Sequence, residues 1–248
     1  MPLLGLHMTV ARELAEDLGS AAVDSERGAY YLGATTPDIR ALTRWDRERT
    51  HFFALDEFGA QDGVTRMLLE QPTLRDAALL DAATASFMAG YISHLIMDEA
   101  YICEIYRPFF GAGSRFGDEL MANVMDRLLL YHLDMQERED APALVEIQRA
   151  LGETSAEFAV DFIAREDLVR WRDLQTQIVM RPPSFARMLV HQLSAVGVEG
   201  EEAVAGWLEQ QADELLRGTI ERIGEERIRE YLHDSKEKAR RAMKEYLS

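Results

Sequence analysis

Apolar residues return every three or four positions along most of this chain, the period of an amphipathic α-helix. Leu6, Val10, Leu14 and Leu18 mark a first helix, which begins around Leu3 and is closed by Gly19. "GAYYLG" reads as a short aromatic helix ending near Gly33. Pro37 biases Thr36 away from helical geometry, so Asp38 is expected in a loop. "DRERTHFFALDEFG" reads as a second loop, with His51 ahead of an aromatic pair. Asp62 to Gln71 is expected to be helical, and Pro72-Thr73 to start a long helix running through "GYISHLIMDEAY". After a glycine-rich connection, "FGAGSRFGDE", the stretch "ELMANVMDRLLLYHLDM" places Leu120, Val124, Leu128 and Tyr131 on one helix face. More helices follow Ala141, punctuated by Gly152, Pro182-Pro183, Gly197 and Gly200. The last, Ile228 to Leu247, is amphipathic and carries Lys236, Lys238, Arg240, Arg241 and Lys244. No convincing strand appears. The expectation is an all-α, multi-helix bundle: one domain over residues 1–248, with a helical core over 1–138, additional helices over 139–248 and a sub-boundary near 182.

Composition narrows the functional classes. At 248 residues the chain can bury one sizeable core. A net charge of −17 argues against a nucleic-acid-binding surface, which needs clustered Lys and Arg. The single cysteine, Cys103, excludes an intramolecular disulfide and fits a reducing compartment. The opening "MPLLGLHMTVARELAEDL" lacks the basic start and long apolar run of a signal peptide. The longest uncharged run, Ala82 to Met97, has 16 residues and is too short for a membrane span. A cytoplasmic protein is expected.

The candidate chemistry lies in the most apolar helix. His94 and Asp98 are one turn apart and leave it from the same face, among Phe87, Met88, Tyr91, Ile92, Leu95, Ile96 and Met97. A carboxylate there is costly unless it is paired or bound to a cation. His7, Asp38 and His51 fit their surroundings equally poorly. Three imidazoles and two carboxylates form a reasonable donor set for zinc. Each piece alone has a simpler reading: a hydrogen-bonded i, i+4 pair, a histidine near a helix start, a Pro-Asp cap, a half-buried loop histidine. His132, His191 and His233 read as ordinary helix positions, and Phe52, Phe53 and Tyr91 as core. The basic final helix reads as a solvated face, with peripheral contact to an anionic membrane surface as the alternative.

The order of the motifs adds to this. "GLHMTVARELA", "LGATTPDI", "RTHFFALDE" and "AGYISHLIMDEAY" together resemble the zinc-dependent phospholipase C family. That family includes secreted bacterial phospholipases C and the N-terminal domain of glycosylphosphatidylinositol phospholipase D; fungal single-strand nucleases share a similar helical fold. The resemblance covers about residues 3 to 102. It implies a first zinc held by Asp38, His51, His94 and Asp98, and a second held by His7 and bridged by Asp98. In secreted members an N-terminal tryptophan completes the second ion, and no tryptophan precedes Trp45 here. A third family site is expected to be absent, because roughly Glu104, Asp118 and Ala122 stand where its ligands belong. The implied activity is hydrolysis of a phosphate ester or lipid-like small substrate by metal-activated water, with Asp38 orienting or deprotonating that water. The alternatives are a nuclease or phosphomonoesterase on the same scaffold, or a non-catalytic helical protein with a structural metal.

Overall fold

The computed structural model describes residues 4–55, 61–111, 119–181, 183–195 and 199–248, and within them the chain is all-α, with no strand. Helix α1 (Leu4–Leu18) ends at Gly19, whose φ of 63° is easy only for glycine. It is followed by α2 (Ala21–Ser25), α3 (Arg27–Gly33), α4 (Arg40–Thr43), α5 (Glu48–His51) and α6 (Gly63–Glu70). The central helix is α7 (Ala82–Tyr101), extended by a π-helical stretch, Ile102–Phe110. Then come α8 (Glu119–Glu137), α9 (Ala141–Glu153), α10 (Arg165–Ile178), α11 (Phe185–Ala195), α12 (Glu201–Gln210), α13 (Ala212–Ile223) and α14 (Glu225–Tyr246).

Most of α7 is buried on every side, which explains its uniformly apolar composition. It packs chiefly against α3 and α14. At the crossing with α3, a Cβ on Gly90 would overlap the Tyr30 carbonyl oxygen, and one on Gly33 would overlap that of Phe87. Two glycines thus let the backbones touch. From α14, Ile228, Tyr231, Ser235, Ala239 and Met243 form the buried stripe. The positive charges of α14 meet acids of the same chain: Lys236 pairs with Glu13 (2.7 Å), Lys238 with Glu104 (3.1 Å) and Arg240 with Glu237. A second apolar cluster joins α8 to α11 and α12 through Val124, Leu128, Phe185, Leu189, Leu193, Ala205 and Leu208. Leu120 and Tyr131 flank it, as their helix face requires.

Three local expectations are corrected. Asp38 is not in a loop but in a 3-10 turn, Thr36–Ile39. Pro37 is accommodated because the first turn of a helix needs no N–H from it, and the hydroxyls of Thr35 and Thr36 both donate to the Leu32 carbonyl. His51 closes the short helix α5 rather than standing in a loop; Phe52 then turns the chain with a φ of 54°. The long helix starts at Ala82, ten residues later than Pro72. Between them Asp76 and Asp81 accept backbone N–H groups of Ala78 and Thr84, so two short 3-10 turns form instead of a continuous helix. Leu3, residues 56–60 of the second expected loop, 112–118 of the glycine-rich connection with Asp118, Pro182, Gly197 and the side chain of His191 lie outside the described residues. No helix among the described residues is long and apolar enough to cross a membrane.

Candidate metal centre

His7 leaves α1 in its first turn, and the depth of that turn is set from far along the chain. The Leu6 N–H donates to Asp134 Oδ1 of α8 (2.9 Å), and Arg138 holds the other carboxylate oxygen (2.5 Å). A helix start is thereby capped inside the protein by a charged acceptor. Asp38 is carried by the 3-10 turn, which α10 pins through a Trp171 indole N–H donated to Thr35 Oγ1 (3.2 Å). His51 is placed by α7 itself: Tyr91 donates its hydroxyl to the Thr50 carbonyl (2.5 Å). His94 and Asp98 stand on the same face of α7.

All five side chains converge. The rings of His7 and His94 stack at 3.8 Å, and those of His51 and His94 meet edge-on at 5.3 Å. Two sets of donors each gather within 4.8 Å of one another: His7, Asp38 and His94, and His51, His94 and Asp98. His51 Nε2 lies 3.5 Å from Asp38 Oδ1 and 3.6 Å from Asp98 Oδ2. Both separations are long for hydrogen bonds, and the first is close to the ~3.4 Å edge of a tetrahedron with zinc bonds of about 2.0–2.2 Å.

The hydrogen bonds orient the imidazoles. The Ala34 carbonyl can only accept, so His94 Nδ1 donates to it (2.8 Å) and Nε2 keeps its lone pair. Thr50 gives its hydroxyl proton to the Arg47 carbonyl (3.3 Å) and accepts from His51 Nδ1 (3.2 Å), which likewise frees His51 Nε2. Among the described residues, His51 Nε2, His94 Nε2, both nitrogens of His7 and Asp98 Oδ1 are buried without a hydrogen-bond partner. Five such atoms in one place are unusual in a folded interior and fit a cation at their centre.

Burial holds the His94 imidazole down at about 4, and burial followed by the neighbouring His94 holds His7 well below its ordinary value. Both are therefore neutral at pH 7, the state a metal requires. Burial by itself would raise Asp38 and Asp98, yet His51 beside the first and Arg47 beside the second keep both carboxyls below the usual range. The consequence for the metal-free protein has a definite sign. Between about pH 4 and 6.5 the unfolded chain binds a proton at His94 that the folded one refuses, and His7 acts in the same direction, so stability is full above ~6.5 and falls as the pH drops. A melting temperature that does not decline between pH 7 and pH 4.5 in the presence of a chelator would contradict this.

Arg47 was not among the residues singled out by sequence. Its guanidinium is buried, pairs directly with Asp98 Oδ2 and donates from Nη1 to the Phe53 carbonyl (2.8 Å). Asp98 thus has a protein cation as partner, at the N-cap of the short helix that His51 closes. The signal available was the unmet charge of Asp98 together with the R-x-x-x-H spacing. Phe52, Phe53 and Tyr91 are core residues. A cavity of about 720 Å³ between α6, α7 and α14 is lined by Ile92, Ile96 and Glu99, on the opposite face of α7, and includes none of the five donors.

Neither a protein-family model, nor a curated protein, nor a solved structure matches this chain.

Proposed function

We propose that this protein is a zinc-dependent hydrolase of phosphate esters, similar to zinc-dependent phospholipase C. The observation that supports it is the buried convergence of His7, Asp38, His51, His94 and Asp98, with lone pairs on His51 Nε2 and His94 Nε2 that no protein group uses. Zinc bound there would supply positive charge to a phosphoryl oxygen and a water acidic enough to attack at neutral pH. The residues supply the rest. His94 is locked by Ala34, and His51 by Thr50, so neither ring needs to reorganise. Asp38 is the most exposed of the five, at 9%, and is the carboxylate placed to meet an entering water. With its carboxyl below the usual range, it suits orienting that water through an accepted hydrogen bond better than storing its proton. A phosphate ester or lipid-like small molecule is the substrate class; the acidic surface disfavours nucleic acid, and a monoesterase or nuclease is the nearest alternative.

A second reading is a structural metal without catalysis. It is favoured by the enclosure of the donors, four of which are only 1–2% exposed, and by the position of the 720 Å³ cavity behind α7. Elemental analysis with hydrolysis assays separates the two. Chromogenic phosphodiester, phosphomonoester and phosphatidylcholine vesicles would each be tried with zinc and with chelator. Zinc-dependent turnover is the expected result. Zinc binding with no turnover of any ester leaves the structural reading, and less than roughly a tenth of an equivalent of zinc after incubation removes both.

A further inference from the structure

We propose that the centre holds a single divalent ion, and that the Arg47 guanidinium supplies the second positive charge where the phospholipase C resemblance implies a second zinc. The inference rests on the metal-dependent reading above and concerns its stoichiometry and the role of Arg47.

His94 limits the number of ions. The two donor sets, His7 with Asp38 and His94, and His51 with His94 and Asp98, share this one residue. Its Nδ1 proton is committed to the Ala34 carbonyl, so only Nε2 can ligate, and one lone pair serves one ion. Once either set is filled, the other keeps two described protein ligands: His7 and Asp38, or His51 and Asp98. Catalytic zinc sites have three.

Asp98 points the same way. To bridge two ions it must turn an oxygen to each, yet Oδ2 already faces the Arg47 guanidinium while Oδ1 has no partner. Arg47 is not a loosely placed surface side chain. It is 9% exposed, and its two terminal nitrogens are held in different directions, Nη2 by Asp98 and Nη1 by the Phe53 carbonyl. Its charge is permanent.

The charge balance agrees. A metal takes imidazoles in their neutral form, so two carboxylates and one guanidinium leave a single negative charge among the site's side chains, which one divalent ion converts to a single positive charge. A second ion would raise this to three positive charges in a nearly solvent-free site, at a large desolvation cost. Arg47 is thus a positioning residue: it orients Asp98 as a one-oxygen ligand and excludes the second metal.

The experiment is a zinc titration of the metal-free full-length protein by calorimetry, with elemental analysis after desalting. The wild type is expected to bind about one equivalent. Arg47→Ala removes a positive charge and releases the second oxygen of Asp98, and is expected to bind nearly two. Arg47→Lys keeps the charge and is expected to stay at one. Arg47→Met, which keeps the apolar stem, carries the same expectation as Arg47→Ala should that variant fail to fold. Two equivalents in the wild type, or one equivalent in a folded Arg47→Ala or Arg47→Met protein, would overturn the proposal. A wild type that binds no zinc would overturn the metal-dependent reading with it, an outcome distinct from both.

Discussion

Replacing Asp98 with asparagine is expected to strip most of the zinc, abolish zinc-dependent hydrolysis and weaken the metal-free fold by about 3 kcal/mol. Asp98 is 1% exposed and pairs with Arg47, so the substitution leaves a buried guanidinium without its counter-charge. Breaking a buried ion pair from one side costs more than the pair contributes in place, because the orphaned charge cannot be hydrated. The same change removes the one carboxylate that shares the metal face of α7 with His94. His7→Ala is milder by the same reasoning. It deletes a neutral imidazole that touches the centre by stacking on His94, and strands no charge. Metal affinity should drop while the denaturation midpoint moves by less than for Asp98→Asn. Urea unfolding with chelator, together with zinc content, measures both effects. An Asp98→Asn protein with full metal and an unchanged midpoint would return Asp98 to being an ordinary helix residue.

Gly90→Ala is expected to cost about 3 kcal/mol, and to impair metal binding although Gly90 touches no ligand. An added Cβ would collide with the Tyr30 carbonyl, which is backbone and cannot rotate away, so α3 and α7 must separate. Ala34, whose carbonyl orients His94, directly follows α3, and His94 lies one turn beyond Gly90. Separation therefore lengthens the hydrogen bond that fixes the metal ligand. Gly206→Ala is the control. That glycine lies inside α12 with no atom near its missing Cβ, and alanine should stabilise by ~0.5–1 kcal/mol. Equal midpoints for the two variants would show that the close crossing carries no energy.

The parts of this fold that were legible in the sequence are those governed by neighbours along the chain. The stop at Gly19, the face formed by Leu120, Val124, Leu128 and Tyr131, and the amphipathic final helix all follow from periodicity and end signals that act within a few residues. The five candidate donors stood out for another reason: each alone had a simpler reading, and it was the order of their four motifs, with the buried charge of Asp98, that grouped them. Where expectations missed, a local preference was overruled. Pro37 and the charged run before His51 argued for loops, but side-chain hydroxyls of Thr35 and Thr36 and the pull of Tyr91 on Thr50 wound both segments into short turns.

By itself the sequence determined that the chain is helical, that α7 is its buried axis, and that Asp98 needs a compensating positive charge. Only the tertiary structure decided where that charge comes from. Arg47 lies 51 residues away and reaches Asp98 because α5 is docked on α7. The selection of His94 Nε2 as the free nitrogen depends on a backbone carbonyl, which carries no mark in the sequence. The depth of His7 depends on Asp134, 128 residues from the N–H that it caps. Helix period is a short-range property, whereas charge compensation and hydrogen-bond pairing are settled by whichever groups packing brings together.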